Sequence, residues 1–339
     1  MLYIVIFFLL VSVYLYCLLG GADFGAGIIE LIARGESRNR TRILVTRAMA
    51  PVWEANHMWL IIAVVILFNA FPPVYSQIAI SLSIPLILLL IGIVLRGCAF
   101  TFRQYDAIKD FSQEIYSRIF TYSSLIVTFF FGLIIGSLVS GRITTTPTDF
   151  IDGYVNPWFN LFSISTGVFL CCLFPFLASI YLIGDANDKG TRDEFIKKSK
   201  KATYAAVISG GLVFLASLAD NNGFVRLFFS NIISVVFIIA ATITLPLLWK
   251  VLESGSVWVA RILAGAELFF ILGAFYAAYF PIIVVEKYGR NITLLNSAAP
   301  KITLNYLGWS LLIGSAIIFP ILFYLIKIFK FEVKDKISK

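Results

Sequence analysis

Histidine is nearly missing from this chain: His57 is the only one in 339 residues. One imidazole cannot build a copper site with several histidines or a bis-histidine haem site. The four cysteines (Cys17, Cys98, Cys171, Cys172) form no C-x-x-C, no C-x-x-C-H and no paired spacing. Covalent haem attachment is thereby excluded, and their places within or at the ends of apolar stretches make them packing residues. Besides the terminal Met1, only His57, Met49 and Met58 sit where an axial haem ligand could arise, and a hydrogen-bonded core ring is the favoured reading of His57. Phosphate-binding glycine motifs, H-E-x-x-H and G-x-S-x-G are absent, which argues against an ATPase, a zinc protease and a serine hydrolase. Charge is scarce too, at 14% of residues against about 25% in soluble domains. Strand-like alternation is lacking, against a β-barrel.

What fills the sequence instead is apolar: 60% of residues are hydrophobic and the mean hydropathy is +0.92. The chain reads as an all-α integral membrane protein, a single polytopic domain over residues 1–339. A span needs about 20 residues, and nine stretches qualify. They lie near 3–33, 51–70, 77–99, 119–140, 158–183, 203–219, 226–249, 258–280 and 304–329. The first lacks a basic n-region and is too long for a signal peptide, so it is expected to be a retained helix.

Basic residues in alternate loops set the orientation. Of the 27 Lys and Arg residues, all but Arg142, Arg226, Lys287, Arg290 and Lys301 fall on one side, including Lys109 and the C-terminal lysines. By the positive-inside rule the N-terminus is outside and the C-terminus cytoplasmic. The net charge of +8 therefore reports topology and contact with anionic lipid rather than nucleic acid.

Two stretches place acids in apolar segments, where an ionisable group is costly and marks a functional hypothesis. Pro51 to Leu60 brings Glu54 together with Trp53, Asn56, His57 and Trp59. Gly20 to Gly27 brings Asp23 into the first span, with Glu30 seven residues on. At about 1.5 Å per residue Asp23 lies roughly 16 Å from Arg34, and Glu54 about 10 Å from Arg47. Glu54, Asp23 and Glu30 thus look like steps of a proton half-channel entered from the cytoplasm. The alternative is that each is paired to a buried base such as Arg96 or Arg103 and locks the bundle. Gly21, Gly25 and Gly27 read as helix-packing residues.

The G-x-D-x-G-x-G run of Gly21 to Gly27, the P-x-W-[DE]-x-N-x-x-W run of Pro51 to Trp59, Phe71-Pro72, and L-R-G-x-x-F-x-x-R of Leu95 to Arg103 resemble subunit II of cytochrome bd-type quinol oxidases. The resemblance continues through Asn156-Pro157-Trp158, Gly167 and Leu294 to Pro300, nearly the whole chain in order. It implies two four-helix bundles plus one peripheral helix, packed against a pseudo-symmetric subunit I in the bacterial cytoplasmic membrane. In that family subunit I carries haems b and d, or b only, and the quinol site. Subunit II binds no haem alone, stabilises the haem-bearing state and in some members lines a cytoplasmic proton path. Carried over, Glu54 matches the acid assigned to this path and Asp23 the acid of the glycine-rich motif. The resemblance also leaves room for a structural quinone or lipid and for small single-helix subunits.

Two departures stand out. Many members have a further acid where this chain has Gly20, and Glu267 falls in the eighth span where a neutral residue is expected. The competing class is a cation-coupled secondary transporter using acids on spans 1, 2 and 8. Against it, no inverted repeat or matched pair of broken helices is evident.

Overall fold

A computed structural model describes residues 1–50, 53–106, 111–186 and 188–327. Pro51, Lys109 and the basic residues after Lys327 lie outside the described residues, as does the end of the ninth stretch. Among the described residues nine helices are long and apolar enough to cross a membrane.

The first span is one rod: α1 (Leu2–Leu15), a π-helical turn (Tyr16–Gly20) and α2 (Gly21–Ile32). The remaining spans, in order, are α4 (Trp53–Ala70), α6 (Ser83–Tyr105), α7 (Ser112–Val139), α9 (Leu161–Ile183), α10 (Lys189–Asp220), α12 (Ile232–Ser254), α13 (Val257–Tyr279) and α14 (Lys301–Lys327). Between them lie the short helices α3 (Gly35–Met49), α5 (Pro72–Ser81), α8 (Phe150–Tyr154) and α11 (Phe224–Ser230). A small antiparallel pair, β1 (Ile282–Val284) and β2 (Ile292–Thr293), closes one end.

The expected spans are right in number and shifted in their ends. The third stretch, expected from residue 77, splits at Leu82 (φ −113°, ψ 24°) into α5 and α6. The proline pair at the start of α5 has no amide hydrogens to lose in a first turn. The sixth, expected to begin at 203, starts at Lys189 instead, capped by Asp188 accepting from the Thr191 amide. Hydropathy sees only the apolar part of such a helix; its charged turns continue beyond it. For the same reason Arg96 and Arg103, counted as loop charges in the orientation argument, lie inside α6 and are buried.

In lipid the hydrophobic effect does not press helices together, so close approach of small residues does much of the work. α7 and α9 show it reciprocally. A Cβ at Gly132 would stand 2.7 Å from the Thr166 carbonyl oxygen, and one at Gly167 would stand 2.8 Å from that of Phe129. α9 is the most enclosed span, touching α2, α3, α7, α10 and α13. α14 instead packs on α1 and α4 at the margin.

The end holding the β pair is tied by ions. Lys287 Nζ reaches Asp152 at 2.8 Å and Arg142 reaches Asp220 at 3.1 Å. The Lys287 hydrogen bond holds the Asp152 carboxyl below the usual carboxylate range and raises the lysine in turn. At the opposite end α3 is fastened by Arg38 to Glu114 and by a Lys198, Glu194, Ser37 and Thr41 cluster.

Candidate functional site

The first and third spans carry matching seven-residue spacings, Asp23 with Glu30 on α2 and Arg96 with Arg103 on α6. Seven residues are close to two helical turns, so each pair shares a face about 10 Å apart. Arg96 Nη2 donates to Asp23 Oδ1 at 2.7 Å and to the Asp23 carbonyl at 3.1 Å, while its Nε donates to Ser124 Oγ at 2.9 Å. Arg103 Nη1 lies 3.0 Å from both Glu30 oxygens. Asp23 and Glu30 are fully buried. The Phe120 ring lies between the arginines, 4.6 Å from the Arg96 guanidinium carbon and 4.3 Å from that of Arg103. A planar guanidinium both stacks on rings and forks to carboxylates, which suits Arg here where Lys would not serve. Both intramembrane acids of the first span are thus paired to bases, the arrangement weighed above as the bundle lock.

The glycines allow that pairing. A Cβ at Gly25 would fall 2.1 Å from the Phe174 carbonyl oxygen, just before Pro175. One at Gly21 would meet the Phe174 ring at 2.8 Å, and one at Gly27 would meet Ser124 Oγ at 2.2 Å. α2 is held against α9 and α7 at backbone distance, with the acids turned toward α6.

α4 starts unusually deep. The His57 ring lies 5.8 Å from Phe24 and 6.3 Å from Tyr16, ring centre to centre. Phe24 is eight residues, about 12 Å, short of the end of α2. The beginning of α4 therefore lies inside the apolar layer, with α3 running in alongside α2 to reach it. Trp53 packs on Phe100 at 5.6 Å and edge-on to His57. Asn56 is buried, and Trp59 is half-buried against the main core.

Glu54 departs from the sequence expectation. It was expected in a desolvated nest with Trp53, Asn56 and His57, yet it is exposed on the chain's outer surface with no ion pair or hydrogen bond among the described residues. Helical spacing is the cause. Glu54 shares a stripe with the exposed Met58, Ile61, Val65 and Phe68, whereas Asn56, Ala63, Ile66 and Ala70 form the buried face. Trp53 and Asn56, one and two residues away in sequence, are not neighbours of Glu54 around a helix; His57, three residues on, borders it.

Glu267 is buried, and Thr244 Oγ1 donates to its Oε2. It lines a largely apolar cavity of about 330 Å³ with Thr166, Thr203, Phe214 and Thr242. A second cavity, about 370 Å³, is bordered by Tyr16, Leu60, Phe131 and Tyr276. Sequence reading passed over Tyr16 and Ser124, since neither a tyrosine nor a serine in an apolar run signals anything by itself. The π-helical turn that displaces Tyr16 has no sequence signature either.

Among the described residues no three His, Cys, Asp or Glu side chains gather as metal ligands. Of the sulfur and imidazole candidates, Met49 is buried, Met58 points outward and the His57 Nδ1 is enclosed.

Comparison with known proteins gives one answer. "Cytochrome bd ubiquinol oxidase subunit 2" of Bacillus subtilis (strain 168) is 24% identical over 314 residues, covering 89% of this chain and 88% of that protein. "Cytochrome bd-I ubiquinol oxidase subunit 2" of Escherichia coli (strain K12) is 28% identical over 184 residues, 53% of this chain and 45% of the other. The solved bd oxidase of Geobacillus thermodenitrificans contains a chain with the same fold, with a TM-score of 0.74 at 16% identity, covering 97% of this chain and 98% of that one. The family described as "Cytochrome bd terminal oxidase subunit II" matches residues 1–329. The chain is a multi-pass membrane protein of the cytochrome bd terminal oxidase subunit II family and part of a quinol oxidase complex.

Proposed function

We propose that this chain is the haem-free subunit of a quinol:oxygen oxidoreductase in the bacterial cytoplasmic membrane. It supports a haem-bearing subunit I, which holds haems b and d or b alone, and supplies that subunit with cytoplasmic protons through Glu54. The observation that carries this reading is the placement of Glu54: a carboxyl at membrane depth, on an otherwise apolar outer stripe, without a partner among the described residues. A carboxylate facing acyl chains costs a few kcal/mol, so a second protein surface covering α4 is the favourable arrangement. Asp23 and Glu30, each held by an arginine, flank this route and fix the α2–α6 contact.

The basic residues support an external N-terminus and a cytoplasmic C-terminus. The family resemblance implies spans 1–4 and 5–8 as two four-helix bundles within a single polytopic domain, and α14 packs at the margin on α1 and α4. The two apolar cavities suit an isoprenoid tail or acyl chain, in keeping with a structural quinone or lipid. Small single-helix subunits fit the remaining exposed helix faces. Family membership replaces the transporter alternative.

Glu54→Gln tests the reading. Gln keeps size and hydrogen bonding and cannot titrate, so turnover per haem in a spectrally intact complex should fall by about tenfold or more. Glu54→Asp should retain much of the rate. Wild-type turnover in Glu54→Gln would return Glu54 to a structural role.

A further inference from the structure

Three buried polar atoms near the start of α4 have no protein partner among the described residues: Tyr16 Oη, Asp23 Oδ2 and His57 Nδ1. They belong together. The Tyr16 and His57 rings are 6.3 Å apart, and the Asp23 carboxylate and Arg96 guanidinium act electrostatically on both. Tyr16 is 2% exposed and Asp23 0%, so bulk solvent does not serve them. Buried polar atoms in native proteins nearly always find a partner, and a water with two to four polar neighbours is the usual one.

The inventory of donors and acceptors fits. A water accepts from the Tyr16 hydroxyl and donates to the free Asp23 oxygen and to His57 Nδ1. The π-helical turn at Tyr16–Gly20 widens the first span at this point, and such turns recur at functional sites. His57 also stands three residues after Glu54, a spacing that makes side chains neighbours on a helix.

We propose that Tyr16, Asp23 and His57 form a buried water-binding site, and that His57 passes protons from this water to Glu54. The second half rests on the proton-path reading above. An excess proton arriving on the water forms an N–H bond at Nδ1 and leaves a neutral water. The imidazolium then releases its Nε2 proton to the Glu54 carboxylate, forming its O–H bond and leaving the ring as the other neutral tautomer. The charged and titratable groups facing the ring are Tyr16 and Asp23 of the first span and Arg96 of α6, with Glu54 one turn back on α4 itself.

The test uses the intact oxidase complex. A high-resolution density map should show an ordered water within about 3.2 Å of Tyr16 Oη, Asp23 Oδ2 and His57 Nδ1. That water should vanish in His57→Phe. A dry site beside an intact Asp23–Arg96 pair would overturn the proposal. For the relay, His57→Gln should keep the water and the haem spectrum, lower kcat by about tenfold, leave KM for quinol unchanged, and flatten the kcat profile between about pH 5 and 8, where an imidazole titrates. A wild-type profile in His57→Gln overturns the relay. If Glu54→Gln alone turns over normally while the water is present, the path reading fails and the water site stands.

Discussion

Arg96 shows how one residue decides the cost of its neighbours. Its guanidinium is 1% exposed, and removing it leaves the Asp23 charge buried and uncompensated. Breaking such a pair from one side typically costs about 3–5 kcal/mol, whereas replacing both partners by neutral groups is far cheaper. We therefore expect Arg96→Met to abolish or sharply reduce the yield of assembled complex, and Asp23→Asn with Arg96→Met to recover part of it. Asp23→Asn alone should lower yield more than turnover. Haem-normalised yield from membranes measures all three, and a double variant as poor as Arg96→Met would contradict the pairing. At the β-pair end Asp152 and Lys287 obey a different rule. The depressed carboxyl contributes stability above its unfolded value, about 3.9, and loses it as pH falls through the folded value. The raised lysine contributes below about 10.4 and loses it as pH climbs through its folded value. Asp152→Asn should thus loosen the 282–293 segment at pH 6 to 8, with the difference from wild type fading below about pH 4. Hydrogen exchange on that segment reads the effect; an equal difference at both pH values would refute it.

Among whole elements the contact of α2 with α9 has the least slack. Gly25 stands where any Cβ would enter the Phe174 carbonyl, and backbone cannot swing aside as a side chain can. Gly25→Ala should separate the two helices and cut assembled yield several-fold, while Gly211→Ala on α10, with open space around it, should be neutral. Pulse-chase recovery of the complex distinguishes them, and equal recovery would mean that α2 and α9 are not held at this distance. The small-residue spacing of Gly21, Gly25 and Gly27 made a close helix contact legible in advance, because packing in lipid depends on such residues. Span number was legible for the same reason: a bilayer imposes a length on apolar runs. The ends were not, since α6, α7 and α10 continue into charged turns that hydropathy cannot follow. Nor was the direction in which Glu54 points. That depends on where α3 delivers the start of α4, a matter of tertiary packing and not of the Trp-Glu-Ala-Asn run itself. Arg96 and Arg103 were legible as partners for intramembrane acids, but Arg103, beyond the expected end at residue 99, was not legible as a residue inside a span.

At the scale of the molecule, the outer surface poses the remaining question. α4, α6, α10 and α12 all present large apolar side chains outward, as lipid-facing helices do, so exposure by itself does not identify the face that meets subunit I. Glu54 breaks the equivalence, being the only acid on the outward stripe that also holds Met58, Ile61, Val65 and Phe68. A second protein surface is where that carboxyl is least costly. The chain should therefore be stable only with its partner: expressed without subunit I it should aggregate or be degraded. Ile61→Arg on the same stripe should prevent assembly, because a cation there is buried unpaired at the interface. Ile243→Arg on α12 supplies the control, an equally exposed position away from that stripe, where an arginine costs only what lipid exacts. Co-purification of subunit I with each variant, scored by haem content per chain, separates the two positions. Full haem content with Ile61→Arg, or recovery of an oxygen-reducing complex built from this polypeptide alone, would show that α4 does not face subunit I.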